Sequence, residues 1–263
     1  MDTRPVVLVT GAAQRIGREI SLHLARCGWR VAVHYRSSGA AAAQTVAAIR
    51  EAGGVAMAFA ADLADEASCN GLLPAVHEGF GRVDAVVNNA SLFEYDDLAS
   101  FTAARMDAHW RANVMPAILL ARALHGLLGE AASGCVVNIL DQKLWNPNPD
   151  YLSYTLSKAA LEAANTLLAQ ALAPRLRVCG VAPGVTLLSG EMSGDEFSAS
   201  HTMTPLGRSS TPADVARAVQ FLLESPAITG TTLLVDGGQH LQPQTRDVMF
   251  LARDQPTNKK KET

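Results

Sequence analysis

The sequence lacks the patterns that build metal, redox or nucleic-acid sites. Its four cysteines are scattered, without the close spacing of a zinc or disulfide-exchange motif, and its seven histidines show no metal-ligand spacing. The net charge of −3 provides no general attraction for nucleic acid. The longest apolar stretch, residues 118–128, is interrupted by Arg122 and His125 and is too short to span a membrane. These absences predict no metal site, no nucleic-acid partner and no membrane partner.

The first residues also lack the basic start, the apolar stretch and the cleavage site of a secretory signal peptide. Scattered cysteines without a pairing pattern are typical of buried thiols in a reducing compartment. Both observations predict a cytoplasmic protein. Hydrophobic residues make up 48% of the chain, which is enough for a substantial core in one α/β domain.

The chain does contain a regular alternation of two kinds of segment. Short apolar runs rich in β-branched residues occur at Val6–Val9, Arg30–Tyr35, Val55–Phe59, Val83–Val87, Cys135–Leu140, Arg177–Val181 and Thr231–Val235. Segments with helical periodicity lie between them, at residues 15–28, 40–53, 66–80, 102–129, 151–173 and 212–224. This alternation predicts an α/β fold, a single doubly wound Rossmann domain whose seven-stranded parallel sheet carries helices on both faces.

The predicted domain covers residues 1–240 and contains one insertion. Residues 184–211 are rich in Ser, Gly, Met and Thr and are predicted to close over the substrate, with a short helix near Asp195–Ala199. A C-terminal tail, residues 241–263, follows the domain. Its apolar patch at 248–251 predicts a contact with a neighbouring subunit.

A glycine-rich turn marks the first strand–helix connection. Residues 10–17, Thr-Gly-Ala-Ala-Gln-Arg-Ile-Gly, follow the first strand and open the first helix. Gly11 allows the tight turn, and Gly17 lets helix and strand approach each other. The helix N-terminus, at Arg15 and Ile16, offers N–H groups and positive potential to a pyrophosphate. This order of elements predicts a dinucleotide site, with a plain structural turn as the alternative.

The end of the second strand indicates which dinucleotide is bound. NAD-selective sites place an acidic residue there, whereas this strand ends His34-Tyr35-Arg36-Ser37 without an acid. Arg15 and Arg36, helped by Ser37, are predicted to bind a 2′-phosphate, so the predicted cofactor is NADP(H). The alternative is that Arg36 is a solvated loop residue.

Further cofactor contacts are predicted at the carboxyl edge of the sheet. Asp62 follows the third strand, where it either binds the adenine or belongs to the loop before the next helix. The segment Asn88-Asn89-Ala90-Ser91 closes the fourth strand and is predicted to line the cofactor cleft. The remaining predicted cofactor residues are His34, Tyr35, Leu63, Asn89, Ala90, Ser91, Pro183 and Gly184.

Tyr154 and Lys158 stand four residues apart, so on a helix both side chains leave the same face. A nearby ammonium favours the phenolate and is expected to lower the pKa of Tyr154. Tyr154 is therefore predicted to donate a proton to a substrate that is being reduced. Asp141 lies thirteen residues earlier. An ionised aspartate accepts hydrogen bonds and would repel a developing alkoxide, which argues against simple carbonyl reduction.

With these motifs in place, the chain resembles the short-chain dehydrogenase/reductase family over nearly its whole length. The residues that match family motifs are 10–17, Asn88–Ala90, Asn113, Tyr154, Lys158 and Pro183-Gly184. The resemblance implies a bound nicotinamide nucleotide and a homotetramer. It also implies that Lys158 holds the nicotinamide ribose and that Asn113 keeps the helix and a proton-relay water in place.

Three departures from the common family pattern resemble its pteridine reductase branch. Asp141 replaces the usual serine, Arg15 replaces the third glycine of the turn, and Ser91 replaces the glycine after Asn-Asn-Ala. Phe93 occupies the place of the aromatic residue that sandwiches the pterin in that branch. The resemblance implies NADPH-dependent reduction of a C=N bond in dihydromonapterin, dihydrobiopterin or dihydrofolate. It implies that Ser91, Phe93, Asp141 and Tyr154 bind this substrate.

Other interpretations of these residues stay open. Asp141 could be a solvated loop acid, Asn113 an ordinary polar helix residue, and Phe93 a core or lid aromatic. The chain could reduce another substrate class, such as a 3-oxoacyl thioester or a quinone. It could also bind NADP without catalysis, although a pure binding protein has no need of the proton donor Tyr154 or its partner Lys158.

Overall fold

Seven parallel strands form one sheet in the computed structural model, which describes residues 2–130, 132–189 and 192–254. The strands are β1 (Val6–Val9), β2 (Arg30–Tyr35), β3 (Ala56–Ala60), β4 (Ala85–Asn88), β5 (Gly134–Ile139), β6 (Leu176–Pro183) and β7 (Thr232–Val235). Their order in the sheet is β3-β2-β1-β4-β5-β6-β7. The predicted seven-stranded parallel sheet is therefore confirmed. The order reverses between β1 and β4, and ligands of such sheets bind beyond the carboxyl ends of the strands at this switch point.

Helices cover both faces of the sheet, as the apolar strands require. They are α1 (Arg15–Arg26), α2 (Gly39–Glu51), α3 (Glu66–Phe80), α4 (Ala103–His109), α5 (Met115–Leu127), α6 (Leu152–Leu172), α7 (Gly194–Thr202), α8 (Pro212–Glu224) and α9 (Val248–Asp254). Helices α1, α2 and α8 bury Leu24, Ile49 and Leu222 in one cluster, and α3 and α5 bury Leu73 and Leu120 in the other. Each such side chain contributes roughly 1.5–3 kcal/mol by leaving water.

The single helix predicted over residues 102–129 is wrong, because the chain forms two helices joined by a π-helical turn at Trp110–Val114. Pro116 lies in the first turn of α5. A proline has no N–H with which to continue the α-helical ladder, so the chain leaves α geometry just before it. Such π turns are often found at functional sites, and this one carries Asn113.

The insertion and the tail pack together beside the carboxyl edge of the sheet. Helix α7 begins at a capping box formed by Ser193 and Glu196 and is longer than the predicted Asp195–Ala199. Helix α9 packs against α7 and buries Val248 and Met249 within this chain. These two residues are covered by the chain itself, whereas Phe250 and Leu251 stay half-buried, and the subunit contact of the patch stays a prediction. The end of the predicted tail, residues 255–263, lies outside the described residues.

Across the described ranges, no helix is long and apolar enough to cross a bilayer. The same residues contain no group of three or more His, Cys, Asp or Glu side chains that could hold a metal ion.

Candidate active site

A cleft of about 640 Å³ lies where the carboxyl ends of the central strands meet the start of α1. The predicted site residues that line it are Gly11, Arg15, Ile16, Gly17, His34, Arg36, Asp62, Leu63, Asn89, Ala90, Ser91, Phe93, Asp141, Tyr154, Lys158, Pro183 and Gly184. Tyr35, Ser37 and Asn113 do not line it. The structure therefore brings together residues that are widely separated in the sequence.

The glycine turn is packed so tightly that side chains are excluded from its backbone. Gly11 has a φ of 61°, in the region that favours glycine. A Cβ on Gly17 would lie 2.3 Å from the Gly11 carbonyl oxygen and 2.5 Å from Asn89 Nδ2. The Asn89 amide also donates to the carbonyl oxygens of Thr10 and Gly11, at 2.9 and 3.2 Å. The turn is thus fixed with its backbone open to the cleft, beside the positive N-terminus of α1.

His34 supports this turn through both ring nitrogens. The Gly11 N–H donates to His34 Nδ1 at 3.0 Å, and Nε2 lies 3.1 Å from the Ala61 carbonyl oxygen. Because Nδ1 accepts, the ring is neutral and Nε2 carries the proton. Burial lowers the pKa of His34, which favours this neutral form. The predicted cofactor residue thus fixes the glycine turn to the loop after β3.

The predicted 2′-phosphate site is only partly assembled. Arg36 lines the cleft, but Tyr35 and Ser37 lie outside it, because alternate residues at a strand end point to different sides. Arg15 has a left-handed φ of 55° at its glycine-like position, and its guanidinium donates to the Leu188 carbonyl oxygen at 2.9 Å. Arg15 thus contacts the insertion, while Arg36 is the arginine at the end of β2.

Asp62 is a loop residue that also lines the cleft, and its contact with the adenine stays a prediction. Its carboxylate accepts from the Ala64 N–H at 3.0 Å, as expected of a loop residue before a helix. It also lines the cleft together with Leu63. At the opposite side of the cleft, Gly184 is confined by the insertion, since a Cβ there would lie 2.4 Å from Ser209 Oγ.

Tyr154 and Lys158 are buried, and Asp141 lies half-buried beside them. The Tyr154 hydroxyl donates to Asp141 Oδ2 at 2.9 Å, and the Lys143 N–H donates to Asp141 Oδ1 at 2.9 Å. Lys158 Nζ donates to the Ile139 carbonyl oxygen at 2.7 Å and lies 5.7 Å from the centre of the Tyr154 ring. The carboxylate is therefore the hydrogen-bond partner of the phenol, and the ammonium lies behind the ring.

This arrangement reverses the predicted effect on the phenol. Burial and the Asp141 carboxylate raise the pKa of Tyr154 well above its usual value, so the predicted lowering is wrong. Burial also raises the pKa of Asp141 and lowers the pKa of Lys158 to about 8. The sequence spacing placed Lys158 near the ring, but it could not show that Asp141 is the nearer charge.

Asn113 acts behind the site rather than in it. Its Oδ1 accepts from the Leu92 N–H at 2.7 Å, and its Nδ2 donates to Ser157 Oγ at 2.9 Å. Ser157 in turn donates to the Tyr154 carbonyl oxygen at 2.7 Å. Asn113 also accepts from the Ser91 hydroxyl at 3.2 Å. The π-helical turn thus links the loop after β4 to the helix that carries Tyr154.

Aromatic side chains form one wall of the cleft beside the phenol. Phe93 is 40% exposed and stacks on Tyr151, with ring centres 4.4 Å apart and planes 15° from parallel. Its ring also meets the edge of Tyr154 at 4.7 Å. Met192 also lines the cleft. Phe93 is therefore a partly exposed aromatic residue that lines the cleft beside Tyr154.

The residues that follow Asp141, and the segment that folds back over them, were not predicted as part of the site. We call residues 244–254 the C-terminal strap. Lys143 Nζ donates to the Asp150 carbonyl oxygen at 2.5 Å and lies 3.4 Å from Asp247 of the strap. Arg246 pairs with the Asp150 carboxylate at 2.8 Å. Lys143 and Asp247 both line the cleft, yet their separation of 104 residues leaves no local signal of the contact.

Comparison with known proteins agrees with this geometry. The sequence model of a family described as enoyl-(acyl carrier protein) reductase matches residues 11–240. The glycine turn, the tyrosine–lysine pair and the parallel sheet are those of the wider group to which such reductases belong. The chain belongs to the short-chain dehydrogenase/reductase family.

Three similar proteins show the range of activities among its relatives. The structure of FolM alternative dihydrofolate reductase 1 from Brucella canis, complexed with NADP, is 38% identical with a TM-score of 0.86, covering 94% of this chain and 98% of that one. The 3-oxoacyl-[acyl-carrier-protein] reductase of Synechocystis is 33% identical over 90% of this chain and 97% of its own length. Pteridine reductase 1 of Leishmania tarentolae is 32% identical over 91% of this chain and 97% of its own length.

Proposed function

We propose that this protein is an NADPH-dependent reductase that transfers hydride to a C=N bond of a dihydropteridine, such as dihydromonapterin, dihydrobiopterin or dihydrofolate. The observation that carries this proposal is the hydrogen bond from Tyr154 to Asp141. A carbonyl reductase needs donors around the oxygen that gains negative charge. Here the group next to the proton donor is an acceptor, which suits a substrate with N–H groups.

Several features of the cleft support NADPH as the cofactor. The Gly17 backbone and the N-terminus of α1 suit a pyrophosphate, and Arg36 lines the cleft at the end of β2, where an acidic residue would exclude a 2′-phosphate. The similar Brucella canis structure is complexed with NADP. When bound, the nicotinamide supplies the hydride. Lys158, on the same face as Tyr154, is the residue we assign to its ribose.

The protein's own residues supply the proton. The raised pKa of Tyr154 keeps its phenol protonated before the reaction, so Oη carries a proton that can pass to the ring nitrogen of the C=N bond. The raised pKa of Asp141 allows its carboxylate to take up a proton and to pass it to the phenol. Hydride addition to carbon and proton addition to nitrogen together add two hydrogens across the bond.

The aromatic wall supports a flat, conjugated substrate. Phe93 is 40% exposed beside Tyr154, and its orientation is fixed by stacking on Tyr151. A pteridine ring could pack against the exposed part of this ring, gaining contact area with little loss of side-chain freedom. We assign Ser91 and Phe93 to substrate binding on this basis.

The experiment follows NADPH consumption with dihydromonapterin, dihydrobiopterin and dihydrofolate, beside an acetoacetyl thioester and a quinone. We expect turnover of at least one pteridine and much weaker turnover of the other two substrates. Turnover of the thioester or the quinone alone would refute the pteridine assignment while leaving the family unchanged. Tight NADPH binding without turnover of any of these substrates would contradict the pteridine assignment and favour a non-catalytic NADP-binding protein.

Reduction of a 3-oxoacyl thioester is the second candidate, because the Synechocystis relative carries that activity in its name. Asp141 counts against it, since a carboxylate beside Tyr154 repels the developing alkoxide. We also propose a homotetramer in the cytoplasm. Sizing chromatography tests the assembly, and cell fractionation tests the location.

A further inference from the structure

Besides Asp62 and Asp141, the cleft is lined by a carboxylate to which the proposed function gives no role. Asp247 of the C-terminal strap lines the same cleft as Asp141 and Tyr154. Its side chain is 21% exposed, whereas that of its partner Lys143 is buried. Asp247 is thus placed where a bound substrate can reach it, and Lys143 is not.

The Asp247 carboxylate is held in one position by its surroundings. Its Oδ1 accepts from the Met249 N–H at 3.1 Å, and Lys143 Nζ lies 3.4 Å from Oδ2. Its own N–H donates to Asp150 Oδ2 at 2.7 Å, and Arg246 pairs with the same Asp150 carboxylate. A preorganised acceptor of this kind binds a ligand without a large loss of conformational freedom.

One observation connects Asp247 to the reacting group, and a second shows that the same cleft has another acceptor open to a ligand. Its negative charge contributes to the raised pKa of both Asp141 and Tyr154, so these groups share one electrostatic environment. Gln142 lines the same cleft, and its buried Oε1 has no hydrogen-bond partner among the described residues. A buried acceptor without a partner is rare, and a donor on the ligand would satisfy it.

We propose that Asp247 is a specificity-determining residue that accepts a hydrogen bond from a hydroxyl or amino substituent of the substrate. This inference rests on the proposed pteridine reduction. Asp141 lies 2.9 Å from the Tyr154 hydroxyl and therefore serves the reacting bond. A group that reaches Asp247 belongs to a substituent beyond that bond. A carboxylate accepts from such a donor and repels an anionic substituent, so it selects for neutral or cationic side chains.

The test compares two dihydropterins that differ by one hydroxyl, a hydroxymethyl-dihydropterin and the corresponding methyl-dihydropterin. The measured quantity is the ratio of their kcat/KM values. In Asp247→Ala we expect the preference for the hydroxylated substrate to fall by about tenfold, mainly through KM, as for loss of one charged hydrogen bond. Asp247→Asn keeps an acceptor for Met249, so we expect the strap to stay in place and the preference to fall a few-fold.

Arg246→Gln is the matched control, because it weakens the attachment of the strap to Asp150 and keeps the Asp247 carboxylate. A purely structural role for Asp247 would make all three variants change the two substrates equally. An unchanged ratio in both Asp247 variants, or the same fall in Arg246→Gln, overturns the proposal. If the wild type reduces neither pterin, the proposed function fails as well. If it reduces both and the ratio does not change, only the role of Asp247 fails.

Discussion

Because Lys158 is buried, we expect the stability of the nucleotide-free protein to increase as the pH rises from about 8 to 10.5. Lys158 is 3% exposed, and burial lowers its pKa from 10.5 to about 8. Above pH 10.5 the amine is neutral in both the folded and the unfolded chain. As the pH falls towards 8, the unfolded chain binds a proton that the folded chain does not, so stability is lost in this window.

The shift of 10.5 − 8 = 2.5 pH units corresponds to about 3 kcal/mol in total, at about 1.4 kcal/mol for each unit. When the pH is raised from 7 to 9.5, the wild type regains about 2 kcal/mol of this unfolding free energy. Lys158→Met has no amine to titrate. We therefore expect the wild type, measured relative to Lys158→Met, to gain about 2 kcal/mol of unfolding free energy over this range.

The assay is urea unfolding followed by tryptophan fluorescence, at one protein concentration and without nucleotide. The loss of the hydrogen bond from Lys158 to the Ile139 carbonyl oxygen does not depend on pH in the variant, so it cancels in the comparison. The comparison with and without Lys158→Met is then repeated in the Asp141→Asn background, in which the neighbouring carboxylate is absent. A difference between wild type and Lys158→Met that stays constant from pH 7 to pH 9.5 would refute the reasoning.

Four other residues carry further predictions. Gly17→Ala forces a Cβ against the Gly11 carbonyl oxygen and should cost about 1–3 kcal/mol of stability as well as NADPH affinity. Gly71 of α3 is the control, because a Cβ there would meet no atom within 4 Å, and Gly71→Ala should stabilise the protein by roughly 0.5–1 kcal/mol. Equal free energies of urea unfolding for the two variants would disprove the packing argument. Arg36→Ala should weaken NADPH binding more than NADH binding in titrations, and equal losses would remove Arg36 from the 2′-phosphate site. Tyr154→Phe should abolish turnover while leaving the NADPH dissociation constant within a few-fold, and a large loss of binding would assign Tyr154 a different role.

The parts of the fold that local chemistry determines could be predicted from the sequence. The apolar run Val6–Val9 and the glycines of residues 10–17 require a buried strand and a tight turn whatever their surroundings. The prediction of a single helix over 102–129 is wrong because the apolar periodicity continues through the π-helical turn. Pro116 was the local signal of the break, since it removes one backbone donor.

The parts of the site that could not be predicted depend on distant contacts. Whether Tyr35 and Ser37 face the cleft depends on the residue at which β2 ends. Sequence patterns locate the end of a strand only to within a few residues. The pKa of Tyr154 depends on which charge is nearest, and Asp141 reaches it only through the loop after β5. Asp247 reaches the cleft through contacts of the strap with Lys143 and Asp150, which lie about a hundred residues earlier in the chain.

The central claim is that Asp141 beside Tyr154 suits the cleft to C=N reduction rather than carbonyl reduction. The most direct measurement is the ratio of kcat/KM for a dihydropteridine to kcat/KM for an acetoacetyl thioester, in the wild type and in Asp141→Ser. We predict that the wild type favours the pteridine and that Asp141→Ser shifts the ratio towards the thioester by at least about tenfold, as one charged acceptor becomes a neutral donor. A wild type that favours the thioester, or a ratio that Asp141→Ser leaves unchanged, would contradict the claim.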